Sequence, residues 1–163
     1  MQRRVGRDYS RFGCIKFRTM RADADAVLAR VLDEDPGLRS EFERDFKLRR
    51  DPRITRVGQF LRRSSLDELP QFLNVLRGEM SVVGPRPIVD RELTRYGDYM
   101  DEVAAVRPGL TGLWQVSGRN NLSYKKRVKL DLAYARGRSF SLDLAIILRT
   151  FGVLLLPMDR GAY

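Results

Sequence analysis

Pro70 is the residue that most limits how this chain can fold. It sits in the stretch R-R-S-S-L-D-E-L-P-Q-F-L-N-V-L-R-G-E-M-S-V-V-G-P-R-P, Arg62 to Pro87, inside a run where Leu69, Phe72, Leu73 and Leu76 recur at helical spacing. That spacing predicts a helix with a core-facing apolar stripe. A proline inside a helix deletes a backbone hydrogen bond and crowds the preceding turn, but in the first turn its missing N–H had no partner anyway. Ser65-Leu66-Asp67-Glu68 matches a capping box, yet a helix capped by Ser65 would make Pro70 its fifth residue. With Asp67 as the cap, Pro70 falls third. This second register is preferred, and it predicts a helix from Asp67 to Leu76 that stops at Gly78.

That register leaves Asp67 and Glu68 side by side near free backbone N–H groups and the positive end of a helix dipole, which favours ionised carboxylates and bound phosphate. Two readings stand. The plain one is that both serve the helix start, as capping carboxylates commonly do. The chemical one is that an ionised Asp acts as nucleophile while the neighbouring carboxylate holds Mg²⁺. Beyond the helix, Met80 to Val83 reads as a short strand ending in Gly84-Pro85-Arg86-Pro87. Two prolines restrict the backbone on both sides of Arg86, which suits a side chain that clamps phosphate.

Composition narrows the chemistry. The 163 residues include no histidine, so imidazole is unavailable as base, phosphoryl carrier or metal ligand. Catalysis would rest on carboxylates, Lys, Arg, Tyr or hydroxyls. Cys14 is the single cysteine, which excludes an internal disulfide and a multi-cysteine zinc site and suits a reducing compartment. Hydrophobic residues make up 43% and charged residues 32%, as in a globular chain, and the length suits one domain spanning 1–163. The net charge of +10 predicts an anionic partner: nucleic acid, anionic lipid or a phosphorylated small molecule. The N-terminus shows no signal peptide, and the most apolar stretch, Leu142 to Leu156, is interrupted by Asp143 and Arg149.

In chain order, residues 1–13 read as a basic leading loop. Cys14 to Met20 alternates apolar and polar residues, predicting a half-buried strand with Lys16 and Arg18 on its open face. Ala22 to Leu32 and Leu38 to Leu48 form a charged helical hairpin broken at Asp35-Pro36-Gly37. From Lys47 to Arg63 a cluster of cations is opposed only by Asp51. A charge run of this kind is ordinarily a solvated face, but it leads directly into Asp67 and Glu68. Ile88 to Val106 reads as helix divided near Gly97. Arg107 to Asn121 reads as a short strand or extended loop with Trp114 in the core and Arg119 projecting from a turn. Ser123 to Ala135 is a helix with basic residues Lys125, Lys126, Arg127 and Lys129, and Leu142 to Leu156 is the last and most apolar helix. The predicted fold class is α+β, mostly helical with a few short strands. There is no phosphate-binding G-x-x-x-x-G-K-[ST] loop, dinucleotide fingerprint or histidine triad. What remains is a two-carboxylate centre among candidate phosphate binders Lys16, Arg62, Arg86 and Arg119, a set that suits phosphoryl transfer.

K-F-R-T-M at 16–20, S-S-L-D-E-L-P-Q at 64–71, N-V-L-R-G-E-M-S-V-V-G-P-R-P at 74–87, R-P-G-L-T-G-L-W-Q-V-S-G-R-N at 107–120 and the closing D-R-G-A-Y strongly resemble the bacterial sugar transferases, the monotopic phosphoglycosyl transferases. The resemblance covers nearly the whole chain, in order, and is nearest to the undecaprenyl-phosphate galactose phosphotransferase branch. It implies transfer of a sugar 1-phosphate, galactose 1-phosphate by branch, from a UDP-sugar to undecaprenyl phosphate with release of UMP. This would be the first membrane step of exopolysaccharide, capsule or O-antigen synthesis.

By resemblance, Asp67 would be the nucleophile that forms an aspartyl phosphosugar, and Glu68 would bind Mg²⁺. Arg86, Arg62, Lys16 and Arg119 would bind phosphate, and Asp131 and Asp143 would support substrate binding. The family's re-entrant membrane helix would precede this region, so the sequence reads as the catalytic domain of a longer, membrane-associated enzyme at the cytoplasmic face of the inner membrane. The apolar last helix suits a homodimer, and nucleic acid has no part in the reaction. The alternative is a non-catalytic basic module for nucleic acid or anionic lipid. It accounts for the charge, but not for two carboxylates amid the cations.

Overall fold

The computed structural model describes residues 2–45, 48–118 and 122–155. The chain is mostly helical with four short strands among the described residues, an α+β fold as the sequence predicts. It divides into two compact units, 2–16 with 68–155 and 17–67 among the described residues, each treated by itself below.

The N-terminal residues are not a loop. β1 (Gln2–Val5) and β2 (Arg11–Cys14) pair antiparallel, with Gln2 opposite Cys14 and Val5 opposite Arg11. Arg4 and Val5 are buried, as are Phe12 and Cys14. The predicted strand over 14–20 is therefore shifted: β2 ends where it was expected to begin, and Phe17 is exposed.

In the unit 17–67, α1 (Ala24–Glu34) and α2 (Pro36–Asp45) form the predicted hairpin. Asp35 makes the corner, its Oδ1 accepting from the N–H groups of Gly37 (2.7 Å) and Leu38 (3.0 Å), while Pro36 takes the first position of α2. α3 (Arg56–Arg63) went unread because its cations mask the pattern. Thr55 caps it by accepting from Gly58 N–H at 2.9 Å, and a single bridge joins Met20 to Ile54. At Gly58 a Cβ would lie 1.9 Å from the Thr19 carbonyl oxygen, so only glycine lets α3 approach that segment.

The predicted helix over 67–76 is two pieces, a 3-10 turn from Leu66 to Gln71 containing Pro70, then α4 (Phe72–Leu76). A 3-10 turn tolerates the proline that an α-helix would reject there. Ser65 adopts φ +57°, not the extended conformation of an N-cap, so the capping-box register is not formed. The apolar stripe is also on the wrong side: Leu69, Phe72, Leu73 and Leu76 are 49%, 50%, 49% and 83% exposed. Asn74 is wholly buried instead, accepting from Ile15 N–H (3.0 Å) and donating to the Gly13 carbonyl (2.9 Å) and to Glu79 (2.6 Å).

β3 (Ser81–Val83) and β4 (Gly109–Thr111) pair in parallel. A Cβ on Gly84 would lie 2.4 Å from the Arg107 carbonyl oxygen, so the backbone after β3 can lie against the start of β4 only because residue 84 is glycine. Between the strands run α5 (Leu93–Tyr96) and α6 (Met100–Ala104), divided at Gly97 with φ +52°. Then come α7 (Leu113–Val116), α8 (Tyr124–Gly137) capped by Ser123, and α9 (Phe140–Leu155). The main core of this unit gathers Val5, Ile88, Tyr96, Met100, Val103, Val128 and Leu132. Trp114 is buried, as read, under the guanidinium of Arg127 at 5.0 Å. Among the described residues no helix is long and apolar enough to cross a membrane.

Candidate active site

In the unit of 2–16 and 68–155, the site begins with the hold of Asn74 on residues 13 and 15, which delivers Lys16 to Glu68. Lys16 Nζ donates to Glu68 Oε1 at 2.5 Å, and both side chains remain about one-third exposed, at 33% and 39%. Partial burial works to raise the Glu68 carboxyl, but the Lys16 charge and hydrogen bond, Arg86 and the Gln71 amide outweigh it and hold the pKa below the ordinary value. Glu68 is thus an anion at neutral pH. Arg86 is exposed between buried Pro85 and Pro87.

Arg4 was missed by sequence reasoning, because Gln2-Arg3-Arg4-Val5 reads as surface. Its guanidinium is buried, donates to the Pro87 carbonyl at 3.1 Å and to Gln2 at 2.8 Å, and lies 4.0 Å from the Glu92 carboxylate. Burial and then the Arg86 charge lower its pKa, against the pull of Cys14, Glu92 and Glu68. The only sequence signal for it is that Arg4 shares a two-residue strand phase with Gln2.

Asp131 and Asp143, matched to acidic family positions, each accept from a tyrosine hydroxyl. Asp131 is 1% exposed and accepts from the Tyr96 hydroxyl at 2.9 Å. Burial pushes its carboxyl up to about 7, against Tyr96 and the backbone and charge of Arg86, which favour the anion. Asp143, half-buried, accepts from the Tyr134 hydroxyl at 2.7 Å, and that hydroxyl also lies 3.2 Å from the Val83 carbonyl. Arg119 lies outside the described residues.

In the unit 17–67, Asp67 is 9% exposed, and its backbone carbonyl accepts from Phe17 N–H at 3.0 Å. Arg62 donates through Nε to Thr19 Oγ1 at 3.0 Å; burial lowers its pKa, while Asp51 and Asp67 raise it. Asp51 does not face the whole cation run. It pairs with buried Arg53 through two contacts, 2.7 Å from Nε and 2.6 Å from Nη2. Asp67 and Glu68 are joined by a peptide bond, so the nucleophile candidate of one unit is covalently next to the metal-ligand candidate of the other.

Among the described residues no three acidic, His or Cys side chains converge as a metal site. That donor set still fits Mg²⁺, which is commonly held by one or two carboxylates with substrate phosphates completing its shell. Glu68 supplies a partly exposed anionic carboxylate, and Lys16 and Arg86 supply cations for the phosphates.

Residues 1–157 match the bacterial sugar transferase family. The chain belongs to that family. It is 54% identical over 160 residues to the UDP-galactose-lipid carrier transferase of Erwinia amylovora, covering 98% of this chain and 33% of the relative. It is 52% identical to the undecaprenyl-phosphate galactose phosphotransferase of Salmonella typhimurium, again with 98% and 33% coverage. The exopolysaccharide production protein ExoY of Sinorhizobium fredii is 47% identical over 99% of this chain and 70% of its own length. The chain thus spans about a third of the length of the first two sugar transferases.

Proposed function

We propose that this chain carries the chemistry of a sugar-1-phosphate transferase, moving galactose 1-phosphate from UDP-galactose to undecaprenyl phosphate and releasing UMP. One observation carries the reading: Glu68, kept anionic by Lys16 and Arg86, directly follows the little-exposed carboxylate Asp67 in a sugar transferase sequence. The names of the Erwinia and Salmonella relatives support galactose and a lipid carrier.

In the first step an Asp67 oxygen forms a bond to the phosphorus that bears the sugar. The bond from that phosphorus to the UMP oxygen breaks, and UMP leaves with the electron pair. In the second, a phosphate oxygen of the polyprenyl acceptor attacks the same phosphorus and Asp67 departs as a carboxylate, unchanged overall. Lys16, Arg62 and Arg86 bind and orient the phosphates, and Arg119 completes the set by its place in the family motif. Glu68 would hold Mg²⁺, whose positive charge would offset the negative charge on the diphosphate and on departing UMP. Asp67's low exposure limits attack by water on an acyl phosphate. The reaction belongs at the cytoplasmic face of the inner membrane, where the acceptor's headgroup and the nucleotide sugar meet, as the first membrane step of exopolysaccharide synthesis.

The test is UMP release from UDP-galactose on addition of undecaprenyl phosphate, using the full-length enzyme in membranes. Release should need Mg²⁺, stop with EDTA, and fall at least ~1,000-fold in Asp67→Asn, as loss of a covalent nucleophile does. Undiminished release by Asp67→Asn would end the proposal.

A further inference from the structure

The backbone around Arg86 can be accounted for group by group, and nearly every polar atom has a fixed partner. The Val83 carbonyl faces the Tyr134 hydroxyl at 3.2 Å, and Gly84 N–H donates to the Thr111 carbonyl at 2.9 Å. The Pro85 carbonyl accepts from Gly109 N–H at 2.8 Å, the Pro87 carbonyl from Arg4 Nη1 at 3.1 Å, and the Ile88 carbonyl from Val5 N–H at 2.9 Å. Prolines 85 and 87 have no N–H to place. The one backbone donor of the Pro85-Arg86-Pro87 triplet is therefore the Arg86 N–H.

A carboxylate able to accept from it stands on α8. Asp131 is 1% exposed; Oδ2 takes the Tyr96 hydroxyl at 2.9 Å, and Oδ1 is buried without any hydrogen bond of good geometry. The Arg86 backbone amide and charge both act on this carboxyl. A buried carboxylate oxygen with nothing to accept is costly, and a backbone N–H left without a protein acceptor is the donor it needs. Each group supplies what the other lacks.

We propose that Asp131, oriented by Tyr96, is a positioning residue that fixes Arg86 from behind by accepting its backbone N–H. The guanidinium in front is thereby aimed at the donor diphosphate. The proposal rests on Arg86 binding phosphate, as proposed above, and gives Asp131 no contact with substrate. An acidic residue at this place then strengthens binding of an anion, which direct contact could not do. The requirement is for an acceptor oxygen rather than for charge. Asparagine meets it, its carbonyl facing the Arg86 N–H and its amide donating to the Tyr96 hydroxyl, which can accept as well as donate.

The experiment is calorimetric binding of UDP to this chain in the presence of Mg²⁺, with circular dichroism to verify folding. Arg86→Ala should weaken binding about tenfold or more, the scale of one charge-assisted contact to phosphate. Asp131→Ala should weaken it several-fold, and Asp131→Asn should restore it to within about twofold of the parent. The double variant Arg86→Ala/Asp131→Ala should bind no more weakly than Arg86→Ala alone, because a residue acting through the guanidinium has nothing left to act on. If Asp131→Ala does not fold, Tyr96→Phe gives the same cycle with a smaller single effect. Losses that multiply in the double variant, or an Asp131→Asn variant as weak as Asp131→Ala, would overturn the brace and leave Arg86 as a phosphate binder. An Arg86→Ala variant that binds UDP like the parent would overturn the phosphate-binding reading, and the brace with it.

Discussion

Replacing Asn74 by alanine should destabilise the protein far more than its place in an apolar-looking helix suggests. Asn74 is fully buried and makes three hydrogen bonds, one from Ile15 N–H, one to the Gly13 carbonyl and one to the Glu79 carboxylate. Each neutral bond contributes about 1 kcal/mol net, the charged one about 1.5–3, and a buried group left unpaired costs a comparable amount, so Asn74→Ala should lose roughly 3–5 kcal/mol. For a chain of this length that lowers Tm by about 10 °C. Asn74→Asp should do no better at neutral pH, since it keeps an acceptor for Ile15 but sets a second carboxylate against Glu79. Urea unfolding and thermal melts of the three proteins measure this. The same loss should free residues 13–15 and with them the Lys16–Glu68 pair. A stability change below about 1 kcal/mol in Asn74→Ala would refute this account of how Lys16 is positioned.

Leu76→Ser should change stability in detergent-free buffer by less than about 0.5 kcal/mol, because Leu76 is 83% exposed, whereas Met80→Ala, at a fully buried site, should cost roughly 2–5 kcal/mol in the same denaturation series. Asp131 gives a pH signature. Its folded pKa of about 7 lies above the ordinary carboxyl value of 3.8, so the folded state binds the proton more tightly and this group's contribution to stability is lost as pH rises from about 4 to 7. The difference in unfolding free energy between the parent and Asp131→Asn should shift across that window by up to roughly 4 kcal/mol, favouring the parent at the acid end. A difference that is flat with pH would contradict the burial of an ionisable group there.

The parts of the fold legible in the sequence were those set by local chemistry. The hairpin corner at Asp35-Pro36, the divide at Gly97 and the stop at Gly78 each follow from one or two residues. Asp67, Glu68, Lys16 and Arg86 could be singled out because carboxylates amid cations and a proline-flanked arginine have few structural uses. What escaped was fixed by long-range packing. Helical periodicity at Leu69, Phe72, Leu73 and Leu76 pointed to a core, but burial falls on Asn74 and Gln71, because the segment meets residues 13 and 15 through hydrogen bonds rather than through its leucines. Arg4 was invisible as a site residue, since the Pro87 carbonyl it holds is 83 positions away in the chain. Asp131 was matched only as an acidic position in support of substrate binding; its burial beside Tyr96 depends on how α5 and α8 pack, which no local pattern reports.

The central claim is that Asp67 carries the sugar phosphate between donor and acceptor. Intact mass measurement of the protein after incubation with UDP-galactose and Mg²⁺, without lipid, followed by peptide mapping, tests it most directly. The account predicts a gain of one hexose phosphate located on Asp67, abolished by EDTA and by Asp67→Asn, with UMP formed in equal amount. A hexose phosphate on any other residue, or UMP formation by Asp67→Asn, would contradict it.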